Sequence, residues 1–106
     1  MQIKLFPDWP NLLGRKQAFV GSGIGPALYV TGGDVVTLTG YNTYIDALND
    51  SVSLSGTYNL RAIPSIAGPR AVWKLQWIVF ATGLEVAANT VLSGESAVVN
   101  GFASGT

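Results

Sequence analysis

Oxygen-bearing side chains cluster in one short stretch of the sequence. Asp46, Asn49, Asp50 and Ser51 could together offer oxygen ligands to Ca²⁺. Their spacing does not match an EF-hand loop, which needs acidic ligands at alternate positions and a distal Glu. Asx side chains in such a stretch also cap the backbone of a turn. The stretch therefore predicts a turn rather than a calcium site.

A glycine-rich run at residues 21–25 superficially matches a dinucleotide-binding loop, with Asp46 at a suitable distance beyond it. That loop must open a helix directly after a strand, so that backbone N–H groups meet the pyrophosphate. Here Pro26 follows, then a β-type segment and the pair Gly32 and Gly33. Residues 21–26 are therefore interpreted as a hairpin loop.

The residue types needed for most catalysis are missing. The chain has no His and no Cys, which removes the commonest general base, the commonest transition-metal ligand and any thiol nucleophile or disulfide. The six Asp and Glu residues are dispersed, so no two can be paired as glycosidase carboxylates. We therefore expect a protein that is not an enzyme and holds no metal or cofactor; a small hydrolase is the least favoured alternative.

Aromatic residues allow one binding function. Trp73 and Trp77 lie on one face of a candidate strand, with Tyr58 and Tyr44 as possible neighbours. If exposed, they would form a stacking platform for a sugar or a nucleobase. Their apolar neighbours favour a place in the core instead. A carbohydrate-binding β-sandwich is therefore an alternative that requires these aromatics to be exposed in one patch.

The first residues of the chain are dense in apolar side chains. Pro7 and Pro10 bracket Trp9, and each proline favours extended geometry in the residue before it. We expect residues 1–15 to form an extended N-terminal arm that docks on a neighbouring protein. The expected partner-binding residues of this arm are Leu5, Phe6, Trp9, Leu12 and Leu13. The alternative is that they cover an open end of their own domain.

Thirteen Gly and five Pro residues divide the rest of the chain into short segments rich in strand-forming residues. The predicted strands are 16–20, 27–31, 34–39, 51–55, 57–63, 71–82, 84–88 and 96–102. Residues 41–50 are ambiguous, since Tyr44, Ile45 and Leu48 also fit a short helical turn, and 64–69 is expected to be a loop.

Two of these segments carry specific expectations. Strict alternation at residues 51–55 predicts that Val52 and Leu54 face the core. The segment 71–82 is apolar on both faces and is therefore expected to be a central strand covered on both sides. Together the segments predict one all-β domain over residues 16–106, a β-sandwich or jelly-roll-like barrel of about seven to eight short strands.

The charge content of the chain indicates its class. Charged residues make up 11% of the chain, against about 25% in ordinary soluble domains, and six Lys and Arg balance six Asp and Glu. Charge keeps isolated proteins apart, so this surface is typical of an assembly component.

There is no basic patch for nucleic acid. The longest apolar run, residues 77–81, is far shorter than the ~20 residues that span a bilayer, and no signal peptide is recognisable.

Two stretches resemble a group of tailed-bacteriophage virion proteins. They are YVTGG at residues 29–33 and KLQWIVFATGLEVAA at residues 74–88, the latter followed by TVLS at residues 90–93. Their order resembles that of small all-β head decoration (cement) proteins. The resemblance implies a structural virion protein on the capsid exterior that binds and stabilises the shell of major capsid protein. It also leaves open another phage component, such as a head–tail or tail protein. Closed symmetry predicts a homo-oligomer, and a trimer would match the threefold positions of an icosahedral shell.

Overall fold

A computed structural model describes residues 1–5, 16–38, 43–66 and 71–105. Within these ranges the chain has nine β-strands and no helix, which confirms the all-β prediction. No helix of these residues is therefore long and apolar enough to cross a membrane. The strands are β1 (Gln2–Leu5), β2 (Lys16–Ile24), β3 (Asp34–Val35), β4 (Thr37–Leu38), β5 (Thr43–Leu48), β6 (Ser51–Val52), β7 (Tyr58–Ile66), β8 (Ala71–Val79) and β9 (Ser96–Gly105).

The strands form two sheets that enclose one hydrophobic core, a β-sandwich. The five-stranded sheet has the order β4-β1-β2-β9-β5, and the four-stranded sheet has the order β3-β8-β7-β6. The two longest ladders are antiparallel and have nine residue pairs each: β2 pairs with β9, and β7 pairs with β8. The largest fully buried side chains are Trp77, Tyr29, Phe19, Ile3, Leu60, Leu75, Leu92 and Val99.

Two short segments pass from one sheet to the other and close the sides of the sandwich. Residues 34–38 pair with β8 through β3 and with β1 through β4, so they bond to both sheets. Residues 51–54 do the same on the other side: β6 pairs with β7, and Ser53 forms a bridge to Ala97 in β9. These crossings explain the half-barrel curl of the sheets.

The four-stranded sheet fills the core with large side chains. Leu75 and Trp77 of β8 are fully buried, and Trp73 and Val79 pack against the same core. This confirms the predicted inward face of the 71–82 segment. The prediction that both of its faces are covered is wrong for the described residues, because Val72 on the opposite face is exposed and a two-layer sandwich has no third layer to cover it.

The five-stranded sheet uses glycine where its strands approach closely. The predicted hairpin loop at residues 21–26 is wrong, since β2 continues to Ile24. A Cβ atom on Gly21 would lie 2.6 Å from the Lys4 carbonyl oxygen of β1. A Cβ atom on Gly101 of β9 would collide with the Ala47 carbonyl oxygen. These glycines therefore permit close backbone approach and do not mark turns.

The alternation at residues 51–55 is inverted relative to the prediction. Leu54 is 70% exposed and Val52 is also exposed, whereas Ser53 is buried. The Ser53 hydroxyl accepts a hydrogen bond from the Tyr58 N–H at 3.1 Å, and the bridge to Ala97 holds its backbone inside. Register set by the long-range bridge to Ala97, together with the bond to Tyr58, outweighs local hydrophobicity.

Other segments differ from expectation in the same way. The ambiguous region around Tyr44 and Leu48 is strand β5, and residues 64–66, expected in a loop, extend β7. Residues 27–31 and 84–88 form no strand. The expected arm over residues 1–15 is corrected at its start: residues 2–5 form β1, paired on both sides, because the buried side chains Ile3 and Leu5 belong to the core.

Candidate functional site

The predicted partner-binding residues of the arm have two different outcomes. Leu5 lies in β1 and is buried in the core of its own chain, so its side chain is not available to a partner. Phe6, Trp9, Leu12 and Leu13 lie outside the described residues. They belong to the connection between β1 and β2.

The aromatic platform required by a carbohydrate-binding module is absent from the surface. Trp77 is fully buried, and Tyr58 meets it edge to face with ring centroids 5.6 Å apart. Trp73 is partly buried and packs against the same core. The expectation that these residues are core is therefore confirmed, and the carbohydrate-binding alternative loses the patch on which it depended.

The oxygen-rich stretch 46–51 forms a backbone cap. Asp50 Oδ1 accepts a hydrogen bond from the Ala62 N–H at 2.7 Å, and the Asn49 N–H donates to the Asn100 carbonyl at 3.0 Å. Among the described residues no group of three His, Cys, Asp or Glu side chains could hold a metal ion. Asp50 instead blocks a free N–H on the edge of β7.

One carboxylate fastens two loops at the end of the sandwich. Glu85 Oε2 accepts hydrogen bonds from the Tyr29 hydroxyl and from the Gly32 N–H, both at 2.7 Å. The Tyr29 hydroxyl in turn accepts a hydrogen bond from the Trp77 N–H at 3.2 Å. The bonds from Tyr29 and Gly32 lower the pKa of Glu85, whereas burial and the bond to Glu85 raise that of Tyr29.

Backbone bonds hold the same loops, 25–33 and 84–95, against each other. The Tyr29 N–H donates to the Thr90 carbonyl at 3.0 Å, and the Asn89 N–H donates to the Tyr29 carbonyl at 2.8 Å. The Leu92 N–H donates to the Pro26 carbonyl at 2.9 Å. Glu85 is thus an ionised structural clamp. The loops that it joins are a fixed surface, not free connections.

These fixed loops present apolar side chains to solvent. We call this group the loop surface; its exposed members are Leu28, Val30, Leu84 and Val91. Tyr29 turns inward between Leu28 and Val30, so those two side chains must point out. Exposed apolar groups gathered on rigid backbone are typical of sites for other proteins.

A second apolar group covers the outward face of the five-stranded sheet. We call it the outer face; its exposed large members are Ile24, Tyr44, Leu54, Val98 and Phe102. Phe102 of β9 is flanked in register by Ala18 of β2 and Ala47 of β5. Both of these neighbours are small, and Phe102 is 48% exposed.

The outer face also contains a groove of about 540 Å³. Its walls are the exposed side chains of Ile24 and Leu54, and its floor includes Ser22 and Ser96. Lys4 and Gln2 close the β1 side. The groove thus combines apolar walls with a small polar floor, an arrangement that accepts an apolar side chain.

A second concavity of about 370 Å³ lies beside β6 and β7. It is more polar than the groove, and its lining residues include Asp50, Arg61, Asn59, Val52 and Ile78.

The edges of β7 and β5 are poor sites for strand addition. On β7, the Ala62 N–H is capped by Asp50, and two residues later Pro64 has no N–H to offer. On β5, the register with β9 shifts between Ile45 and Ala47, a bulge that disturbs the edge. Such features oppose strand addition at these two edges.

Sequence reasoning missed both surfaces. The signal for the outer face was present in β9, where small inward residues alternate with larger outward ones such as Val98 and Phe102. The loop surface had no comparable signal, because its segments follow no strand or helix period. Comparison of the chain with known protein families, with curated proteins and with solved structures finds no match.

Proposed function

We propose that this chain is a structural virion protein, a bacteriophage capsid decoration protein that binds the major capsid protein on the outside of the shell. The observation that carries the proposal is the loop surface: four exposed apolar side chains on loops fixed by Glu85 and by backbone bonds. The low charge and zero net charge of the chain support it, since such a surface is suited to permanent contact with other subunits.

The mechanism is the addition of interface. Burial of apolar surface contributes roughly 25 cal/mol to the free energy of binding for each Å² removed from water. Loops that are already ordered lose little conformational entropy when they bind. A subunit that contacts two neighbouring capsid proteins therefore opposes their separation. The stabilised shell resists the pressure of the packaged genome. No catalytic group is needed for this role.

The connection between β1 and β2 supplies the second proposed contact. Phe6, Trp9, Leu12 and Leu13 lie in it, outside the described residues, and an aromatic side chain such as Trp9 is a common interface anchor. In this proposal the loop surface and this connection contact the shell. Contacts between copies of the chain use a different surface.

Co-sedimentation with purified phage particles tests the function. Heads that lack the protein and isolated tails of the phage that encodes it would each be incubated with the purified chain. We expect saturable binding to heads and none to tails. Binding to tails alone would show a tail component, and binding to neither would overturn the virion proposal.

A matched pair of variants locates the contact. Leu84→Asp places a charge on the loop surface, and we expect it to weaken head binding at least tenfold. Phe102→Asp places the same charge on the outer face and should leave binding of the individual subunit to the shell intact. Equal loss in both variants, or no loss in Leu84→Asp, would contradict the assignment of the loop surface.

A further inference from the structure

We propose that the outer face is the interface of a two-fold symmetric dimer of this chain, in which Phe102 of each copy enters the groove of the other. The inference goes beyond the capsid role, because it concerns two copies of the chain in the absence of any shell. It rests on a projecting side chain, that of Phe102, and on the groove of the outer face, which both lie along β9.

The projection and the groove are separated along β9. Phe102 stands between two alanines, whereas the groove floor lies at Ser96 and its walls at Ile24 and Leu54. Five residues separate Phe102 from the middle of the groove, near residue 97. At a rise of about 3.4 Å per residue, this is roughly 17 Å.

A single symmetry axis satisfies both elements. A two-fold axis in the plane of the face, perpendicular to β9 and midway between residues 97 and 102, brings each Phe102 over the partner's Ser96 and Val98. The two contacts are then identical, as an isologous interface requires. The β9 strands run antiparallel to each other, and the two sheets stack about 10 Å apart, which is the usual aligned packing of sheets.

The size of the face suits a weak dimer. The β2–β9 ladder is nine residue pairs long, about 30 Å, and β1 and β5 flank it at different levels, so the face is three strands wide, roughly 14 Å at a spacing of about 4.8 Å. Each copy would therefore bury roughly 400 Å² and the pair roughly 800 Å², less than the ~1,000 Å² of stable interfaces and typical of a transient one.

The charges of the face favour a second copy over a partner of one sign. The charged residues at outward register positions of the described strands are Lys4 of β1, Lys16 of β2, which pairs with Ser104, and Asp46 of β5. Because charges of both signs lie on each face, two copies meet with little electrostatic repulsion. Because each face also supplies both the inserted ring and the groove that receives it, a second copy completes the fit.

Sedimentation equilibrium of the purified chain tests the dimer. We expect a monomer–dimer equilibrium for the wild type, a monomer for Phe102→Asp, and a dimer of wild-type affinity for Leu84→Asp, although Leu84 is 68% exposed and more accessible than Phe102. Phe102→Ala should weaken the dimer at least tenfold without adding a charge. Thermal melting of each variant would show that it is folded. A wild type that stays monomeric at millimolar concentration, a trimer, or a dimer that persists in Phe102→Asp would overturn the proposal.

Site-directed cross-linking tests the arrangement itself. The chain has no cysteine, so Ser96→Cys and Ser104→Cys each introduce a single thiol on the outward side of β9 and leave Phe102 in place. A bismaleimide reagent that spans roughly 10 Å, the stacking distance of two sheets, should join the two variants when they are mixed. It should join neither variant to itself, because the symmetry places like residues roughly 24–31 Å apart along the strand. Self-linking of either variant, or no linking in the mixture, would overturn the arrangement.

Discussion

Strands β8 and β9, one from each sheet, distribute their apolar side chains in opposite ways. β8 turns its largest residues inward, with Trp77 and Leu75 fully buried. β9 turns Ala97, Gly101 and Ala103 inward and leaves Phe102 outside, although Phe19 and Ile3 of the same sheet are fully buried. Both sheets therefore supply the core, but their outward faces differ.

Polar residues on the two outward faces support this division. Outward positions of β7 and β8 include Lys74, Gln76, Arg61 and Asn59, which interrupt the apolar residues between them. The central outward positions of β2 and β9 have no charged side chain among the residues whose side chains the structure describes. The first face is compatible with water, whereas the second is suited to another protein surface.

The largest expected effect comes from truncating a core residue of the four-stranded sheet. Trp77→Ala removes the largest buried side chain, and we expect a loss of about 3–5 kcal/mol in the free energy of unfolding, as for other large core truncations. Phe102→Ala is the matched aromatic truncation on the outward face and should cost about 1 kcal/mol or less. Urea unfolding at a concentration where the chain is monomeric measures both. Similar losses in the two variants would remove the distinction between the sheets.

A smaller effect is expected from enlarging the inward side of β9. A Cβ atom on Gly101 would meet the Ala47 carbonyl oxygen, a backbone atom that cannot rotate away. We expect Gly101→Ala to destabilise the fold by about 1–3 kcal/mol, the usual range for overpacking. Gly94→Ala is the control, because no atom lies within 4 Å of its added methyl group. An unchanged unfolding midpoint for Gly101→Ala would show that the strands can separate without cost.

The smallest expected effect is a loss of folding stability at low pH, through the loops that Glu85 joins. Hydrogen bonds from Tyr29 and Gly32 lower the pKa of Glu85. Their contribution to stability is therefore complete above the ordinary carboxyl pKa and is lost as the pH falls through the lowered value. We expect the wild type to lose more stability than Glu85→Gln between pH 7 and pH 3, measured by urea unfolding at each pH. Equal losses would mean that Glu85 does not act as a clamp.

The sequence predicted those parts of the fold that follow from local alternation. The all-β class, the inward face of β8 and the inward positions Tyr58, Leu60 and Ala62 of β7 are cases in which each strand buries the face that its own residues indicate. The hydrophobic period of the sequence was sufficient to predict these features, because long strands with one clearly apolar face have a single favourable orientation.

Failures occurred where a distant partner decides the conformation. Gly21 is in a strand because β1 approaches it, and Ser53 is buried because Tyr58 and Ala97 bond to it. Tyr29 is fully buried in a loop because Glu85 and Trp77 meet its hydroxyl. Apart from Tyr58, which is five residues from Ser53, these partners are distant in sequence, so no local pattern could indicate them. The loop surface depends on the same bonds and was unpredictable for the same reason.

The pairing of β2 with β9 also determines when the molecule can fold. Partners in this ladder lie between 72 residues apart, Ile24 with Ser96, and 88 residues apart, Lys16 with Ser104. The β7–β8 ladder is local by contrast and closes at Ile66 and Ala71. During synthesis the four-stranded sheet can therefore pair early, whereas β2 must wait until residues 96–105 have left the ribosome. Loop closure over such separations is slow, so the face that we assign to dimerisation is among the last parts of the molecule to form. Association of two copies is thus confined to chains that have already completed their fold.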